Sequence, residues 1–177
     1  MHHKNNKIYI FCDKIYISLV DEVHLNMINS NFQKLKKECF DLLDNNKHIV
    51  LATSYNDLVT ARTISYVMIN EKLYFQTLKT YEKVNQINHN NKVALCIDNL
   101  QIEGLAKIVG HPFDNKNNIF LELYKEKHNS AYKKYSSLAD EVVIEVIINK
   151  ISRWTYVDNV GHKEIIDLIS EEYKDEK

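Results

Sequence analysis

Between His48 and Val109 the chain is cut into short stretches rich in Val, Ile, Leu, Thr and Tyr, separated by links of only a few polar residues. Links this short join antiparallel neighbours; they leave no room for the helical crossover that parallel strands require. The spacing predicts a strand over His48–Ser54, a turn at Tyr55-Asn56-Asp57 and a long strand over Val59–Ile69. A two-residue link at Asn70-Glu71 then leads to Leu73–Thr77, so that the three strands form an antiparallel meander. Two more strands, Val93–Asp98 and Gln101–Val109, meet at a short link containing Asn99. Val142–Ile148 and Ser152–Val157 complete the set.

Helical periodicity surrounds these strands. Ser30 and Gln33 have the spacing of a capping box, and Phe32, Leu35, Cys39, Leu42 and Leu43 recur at helical intervals up to Asp44-Asn45-Asn46. A short helix is expected over Thr80–His89. Asp114 is placed to cap another over Asn118–Lys127, and a final helix is read over Lys163–Tyr173. The whole is mainly β with flanking helices, antiparallel and Greek-key-like, and points to a closed or split barrel.

Composition removes several alternatives. Three glycines and one proline cannot build a P-loop or a Gly-rich dinucleotide turn. The eight histidines are dispersed, without metal-ligand spacing. A net charge of −1 provides no global field for nucleic acid or an acidic membrane. No apolar run reaches the roughly 18 residues of a membrane helix. Three cysteines without even pairing suit a reducing cytoplasm. Only two of the 23 basic residues, Arg62 and Arg153, are arginines.

Residues 1–26 stand apart as an N-terminal extension. The sequence K-I-Y-I occurs twice there, at Lys7–Ile10 and Lys14–Ile17, and reads either as edge strands or as a leader preceding a natural start at Met27. Residues 27–177 are read as one domain.

The ordered segments Leu51-Ala52-Thr53, Arg62-Thr63-Ile64-Ser65-Tyr66, Leu73–Thr77, Lys79–Val84, Asn90–Leu95 and Ile102–Ala106 resemble the pyridoxamine 5′-phosphate oxidase-like family of FMN-binding split barrels. The likeness spans most of residues 30–157. It is to the small, diverse branch that includes nitroimidazole-resistance and general-stress flavoproteins. The resemblance implies FMN as cofactor and a homodimer, because family cofactor sites form between two barrels.

The residues themselves fit an FMN phosphate. Such a group carries about −1.5 to −2 charges and several acceptor oxygens. The segment Thr77–Lys83 leaves a strand and enters a helix, so its early N–H groups point outward without intrahelical partners. It supplies Thr77, Lys79, Thr80 and Lys83, and Arg62 adds a fork of donors from a neighbouring strand. For the flavin ring, the resemblance implies contacts from Thr63, Ile64 and Ser65, with Gln76 on the adjoining strand. Strand alternation places Thr63 and Ser65 on one side and Arg62 and Ile64 on the other, so part of the ring contact is expected from backbone. Trp154, beside Arg153, and Asn99 are candidates for contacts across the dimer.

The region after Arg153 offers only His162 before turning acidic, which departs from the vitamin-B6 oxidases. His48 and His111 are positions where a catalytic histidine could sit; the catalytic residue is left open. The sequence therefore points to a cytoplasmic FMN-dependent oxidoreductase of a small molecule, with NAD(P)H as a donor. The other reading is a non-catalytic flavin or haem carrier or sensor on the same barrel, and a deazaflavin could replace FMN.

Overall fold

The computed structural model describes residues 27–176; the two K-I-Y-I segments lie outside the described residues. Helix α1 (27–45) leads into β1 (His48–Tyr55), β2 (Leu58–Ser65), β3 (Val67–Ile69) and β4 (Lys72–Leu78). Helix α2 (Glu82–His89), β5 (Lys92–Ile97) and β6 (Leu100–Ile108) follow. A 3₁₀ turn (Asn115–Asn117), α3 (Asn118–Lys127), α4 (Asn129–Tyr135), β7 (Glu141–Val157), β8 (Val160–Asp167) and β9 (Glu172–Glu176) complete the fold. Every strand pair is antiparallel.

The turns show how a chain poor in glycine makes hairpins. Asn56-Asp57, Asn70-Glu71 and Asp158-Asn159 all have positive φ at both central positions. Asn and Asp tolerate the left-handed region better than other side chains, and such two-residue turns match the twist of the strands they join.

The strand order is β2-β1-β5-β6-β7-β4-β3, with β8 and β9 added beside β7. The expected meander is therefore corrected. Its second strand divides at Tyr66 into β2 and β3, which lie at opposite ends of the order. The chain itself thus closes the barrel. Tyr66, fully buried, sits at this junction; its hydroxyl donates to the Leu43 carbonyl of α1 at 2.6 Å. His128 Nε2 lies 2.8 Å from the Tyr66 carbonyl. A residue tied to α1 through its hydroxyl and to the α3–α4 junction through its carbonyl offsets the ladder bonds lost where the strand breaks.

The interior is filled by Leu51, Leu73, Phe75, Leu95, Ile102, Ile144 and Ile151, and α1 presses Phe32, Leu35, Cys39 and Leu43 onto the same core. Each such side chain contributes roughly 1.5–3 kcal/mol on burial. A second, smaller core of Val67, Phe120, Tyr124 and Val143 lies between the sheet and α3–α4. Gly104 marks a bulge where β6 crosses β7: a Cβ there would come 2.6 Å from the Ile147 carbonyl oxygen.

Four further expectations change. Val142–Ile148 and Ser152–Val157 are parts of one strand, β7; the register shift at Glu103/Gly104 leaves Asn149 opposite no residue of β6, and the strand runs on. The final helix Lys163–Tyr173 is instead the β8–β9 hairpin. Charged residues spaced like a helix face are overridden by pairing with β7, which buries Ile166 completely. Ser30 lies inside α1, which is already helical at residue 27. Asp114 precedes the 3₁₀ turn, and its carboxylate turns back to accept the His111 N–H at 2.9 Å. Helix α4 is an element with no clear apolar periodicity in its own sequence, and none of its residues is fully buried.

Candidate functional site

Arg62 and Lys83 meet at one end of the barrel. Arg62 projects inward from β2, opposite Leu51 of β1. Its Nη1 donates to Thr53 Oγ1 at 2.7 Å, and its Nη2 donates to Thr60 Oγ1. Both hydroxyls in turn donate to Gln86 Oε1 of α2, Thr60 at 2.7 Å. Gln86 Nε2 donates to the Leu58 carbonyl at 3.1 Å. Gln86 is fully buried, so this chain of bonds fixes α2 and the guanidinium together.

Lys83 lies on the first turn of α2. Its Nζ donates to Thr77 Oγ1 at 3.0 Å and stands 4.6 Å from the Tyr81 ring centre. Tyr81 is the N-cap and makes no side-chain cap; the Val84 N–H donates to the Tyr81 carbonyl at 2.9 Å, which leaves the Glu82 and Lys83 N–H groups open. Among the described residues neither Arg62 nor Lys83 forms an ion pair. Burial lowers the basicity of both; for Lys83 the neighbouring Arg62 charge lowers it further, against a weaker opposing pull from Glu141. Two partly buried cations held side by side by neutral hydroxyls are an arrangement that an anion completes. A phosphate fits: Lys83 and Arg62 supply charge, Thr77 a hydroxyl, and α2 its N-terminal donors.

The other residues named from the sequence divide. Lys79 and Thr80 are exposed, and Lys79 pairs with Asp140 at 2.6 Å. Thr63 is exposed on the outer face, whereas Ile64 is in the core, so only its backbone is free for a ligand. Ser65 lies near the Tyr124 hydroxyl of α3. Gln76 points to the α3–α4 layer, where Ser136 donates to its Oε1 at 2.8 Å and its Nε2 has no partner. Asn99 and Trp154 hold each other at the far end of β7: Asn99 Nδ2 donates to the Trp154 carbonyl at 2.7 Å, and the Trp154 N–H returns a bond at 3.1 Å. Trp154 is 49% exposed, with Lys163 Nζ 5.8 Å from its ring.

Tyr81, Gln86 and Glu141 were not among the residues singled out from sequence. Gln86 left a faint signal, a polar side chain on the inward face of α2 beside Ile87. Glu141 left none. It is 3% exposed at the start of β7, its Oε2 has no partner, and burial pushes its carboxyl up to about 7 against the pull of Lys83 and His111.

An antiparallel split barrel flanked by helices, with a cationic strand-to-helix turn at one end, defines a class of ligand-binding barrels. The family profile described as pyridoxamine 5′-phosphate oxidase matches residues 35–155, and the chain belongs to that family. Similar solved structures share the fold. General Stress Protein 26 from Bacillus anthracis is 20% identical, with 72% of this chain and 96% of that one covered and a TM-score of 0.54. A pyridoxamine 5′-phosphate oxidase-related, FMN binding protein from Nostoc punctiforme is 12% identical over 73% and 86%, with a TM-score of 0.54. HutZ, the heme storage protein from Vibrio cholerae, is 14% identical over 64% and 89%, with a TM-score of 0.56. No match was found among curated protein sequences.

Proposed function

We propose that this protein is a cytoplasmic FMN-dependent oxidoreductase of a small molecule, working as a homodimer, with residues 27–177 as its folding unit. One observation carries the reading: Arg62 and Lys83 converge without a carboxylate partner at the uncapped start of α2. Lys83 and the α2 donors hold the FMN phosphate, and Thr77 orients the Lys83 ammonium. Arg62 stands behind them, kept in place by Thr53, Thr60 and Gln86. Each charge-assisted contact contributes about 1.5–3 kcal/mol. The backbone of Thr63–Ser65 borders the ring. Bound flavin supplies the electron and hydride transfer, and NAD(P)H is the donor.

The homodimer follows the family's arrangement of cofactor sites between barrels. The β1–β2 hairpin adds an apolar surface to receive a second copy, with Leu58 and Val59 mostly exposed.

The test is the ultraviolet–visible spectrum of the protein as isolated and after FMN addition. Flavin bands that appear in the wild type and vanish in R62A/K83A support the reading. A Soret band instead points to haem, and a colourless protein at high FMN overturns both. Flavin reduction by NADH or NADPH with an acceptor separates the enzyme from a carrier. Light scattering at twice the 20.9 kDa chain mass checks the dimer.

A further inference from the structure

Glu141 is the one buried acid near the two cations, and its position gives the anion site a second property. The β4–β7 register sets Glu141 opposite Leu78, one position beyond Thr77 and on the other face of the sheet, at the strand end where its carboxyl still feels the Lys83 ammonium. The β4 end is closed onto the same point: the Lys79 N–H donates to the Asp140 carbonyl at 2.9 Å. Glu141 faces the α3–α4 layer, as do Val143 and Gln76, and its Oε2 is without a partner. A buried carboxylate with an unmet oxygen is costly, and a neutral carboxyl is far less so.

Two charge states compete here. An ionised Glu141 supplies the counter-charge that Lys83 lacks; a neutral Glu141 leaves Lys83 free for an external anion. An anion seated at Lys83 and Arg62 places negative charge beside Glu141 and favours its protonated form. We propose that the Arg62–Lys83 site binds its anion together with one proton, which Glu141 holds. The inference rests on the anion site proposed above and adds a linkage that the site's own residues do not require.

The surrounding groups leave Glu141 as the carrier of that proton. From α2 the Lys83 charge reaches it, and Arg62 of β2 acts in turn on Lys83. From α3 it faces Tyr124, whose hydroxyl burial pushes up to about 12 and so keeps protonated; Tyr135 of α4 lies beyond. Along the strand ends, Lys79 and Asp140 are paired with each other. Further along β7, Glu145 is held by Lys72 and Lys107. From the loop after β6 it faces His111. That ring accepts the Phe113 N–H at Nδ1, 3.1 Å away, and places Nε2 2.9 Å from the Leu138 carbonyl.

Sulfate is a suitable probe, because its own charge does not change between about pH 5 and 9. Calorimetry of sulfate binding to the full chain at pH 7.5, in buffers of different ionisation enthalpy, reads proton uptake directly. The expected result is uptake of up to about three quarters of a proton at pH 7.5 and an affinity about tenfold weaker at pH 8 than at pH 6. In E141Q the uptake should vanish and the affinity should become independent of pH. Binding without uptake in the wild type overturns the linkage and leaves the anion site standing, as does uptake that persists in folded E141Q. Failure of both sulfate and FMN to bind overturns the anion site, and the linkage with it. Should E141Q not fold, a ¹³C-NMR titration of the wild-type glutamate carboxyls reads the same point. One carboxyl titrating near neutrality and moving upward with sulfate supports the proposal; its absence refutes it.

Discussion

The protein's two arginines occupy opposite electrostatic settings. Arg153 of β7 is clamped by carboxylates: Nη1 donates to Glu38 of α1 at 2.6 Å, and Nε and Nη2 donate to Glu164 of β8 at 2.9 and 2.7 Å. Those bonds outweigh burial and raise its pKa. Arg62 of β2 is hydrogen-bonded only to hydroxyls and a carbonyl, and burial lowers its pKa against a weaker pull from Glu82, which forms no ion pair with it. A charge already matched within the fold has a structural task, here joining α1 to the β7–β8 ribbon. A charge held firmly in place but unmatched is available to a ligand.

The largest test of this contrast is the double substitution R62A/K83A. It should weaken FMN binding at least about 100-fold, since two charge-assisted contacts are lost. Fluorescence titration of the flavin measures it. The melting temperature should fall less than in R153L, because relief of the repulsion between two like charges offsets part of the lost hydroxyl bonds; an equal or larger loss of stability would place Arg62 in the same structural role as Arg153.

R153L should do the reverse. It leaves Glu38 and Glu164 without their shared cation and is expected to cost on the order of 2–3 kcal/mol in urea unfolding. FMN affinity should stay within about twofold of wild type. A matching loss of affinity would erase the distinction between the two arginines.

Glu141 predicts a stability that depends on pH. Its folded carboxyl keeps a proton up to about pH 7, whereas the unfolded carboxyl releases it near 4.5. The folded state therefore binds more protons in that window. The favourable contribution is fully present below about pH 4.5 and is lost as pH rises through 7. E141Q should remove this slope and be more stable than wild type at pH 8 by on the order of 2 kcal/mol. Chemical denaturation at pH 5, 6.5 and 8 tests the sign.

The smallest effect is expected from Q86L. The guanidinium loses its fixed backing, since Thr53 and Thr60 no longer share an acceptor. FMN affinity should fall about tenfold with the phosphate cations still present. An unchanged affinity would show that Arg62 needs no support from α2.

Much of the barrel was legible in residue order. Asn56-Asp57 and Asn70-Glu71 marked hairpins because side chains that tolerate positive φ are few, and Phe32, Leu35, Cys39 and Leu43 marked α1 by their period. The segment Thr77–Lys83 could be read as a strand entering a helix, which brought Thr77 and Lys83 into view. The hairpin at 160–176 was not legible. Its charged residues fit a helix face as well as a strand, and only pairing with β7 decides between them. The contact of Gln76 with Ser136 was likewise not legible, because it joins β4 to the end of α4 across 60 positions of the chain.

The sequence by itself determined the antiparallel character, the absence of a glycine-built nucleotide site and the place of the cationic turn, because turn chemistry, glycine count and periodicity are local properties. Tertiary structure alone decided which cations are matched. Glu38, Glu164 and Asp140 reach Arg153 and Lys79 across the fold, while no carboxylate forms an ion pair with Arg62 or Lys83 among the described residues. It also decided that Glu141 is buried within reach of the Lys83 charge. Charge compensation depends on distance in space, and distance along the chain carries almost none of that information.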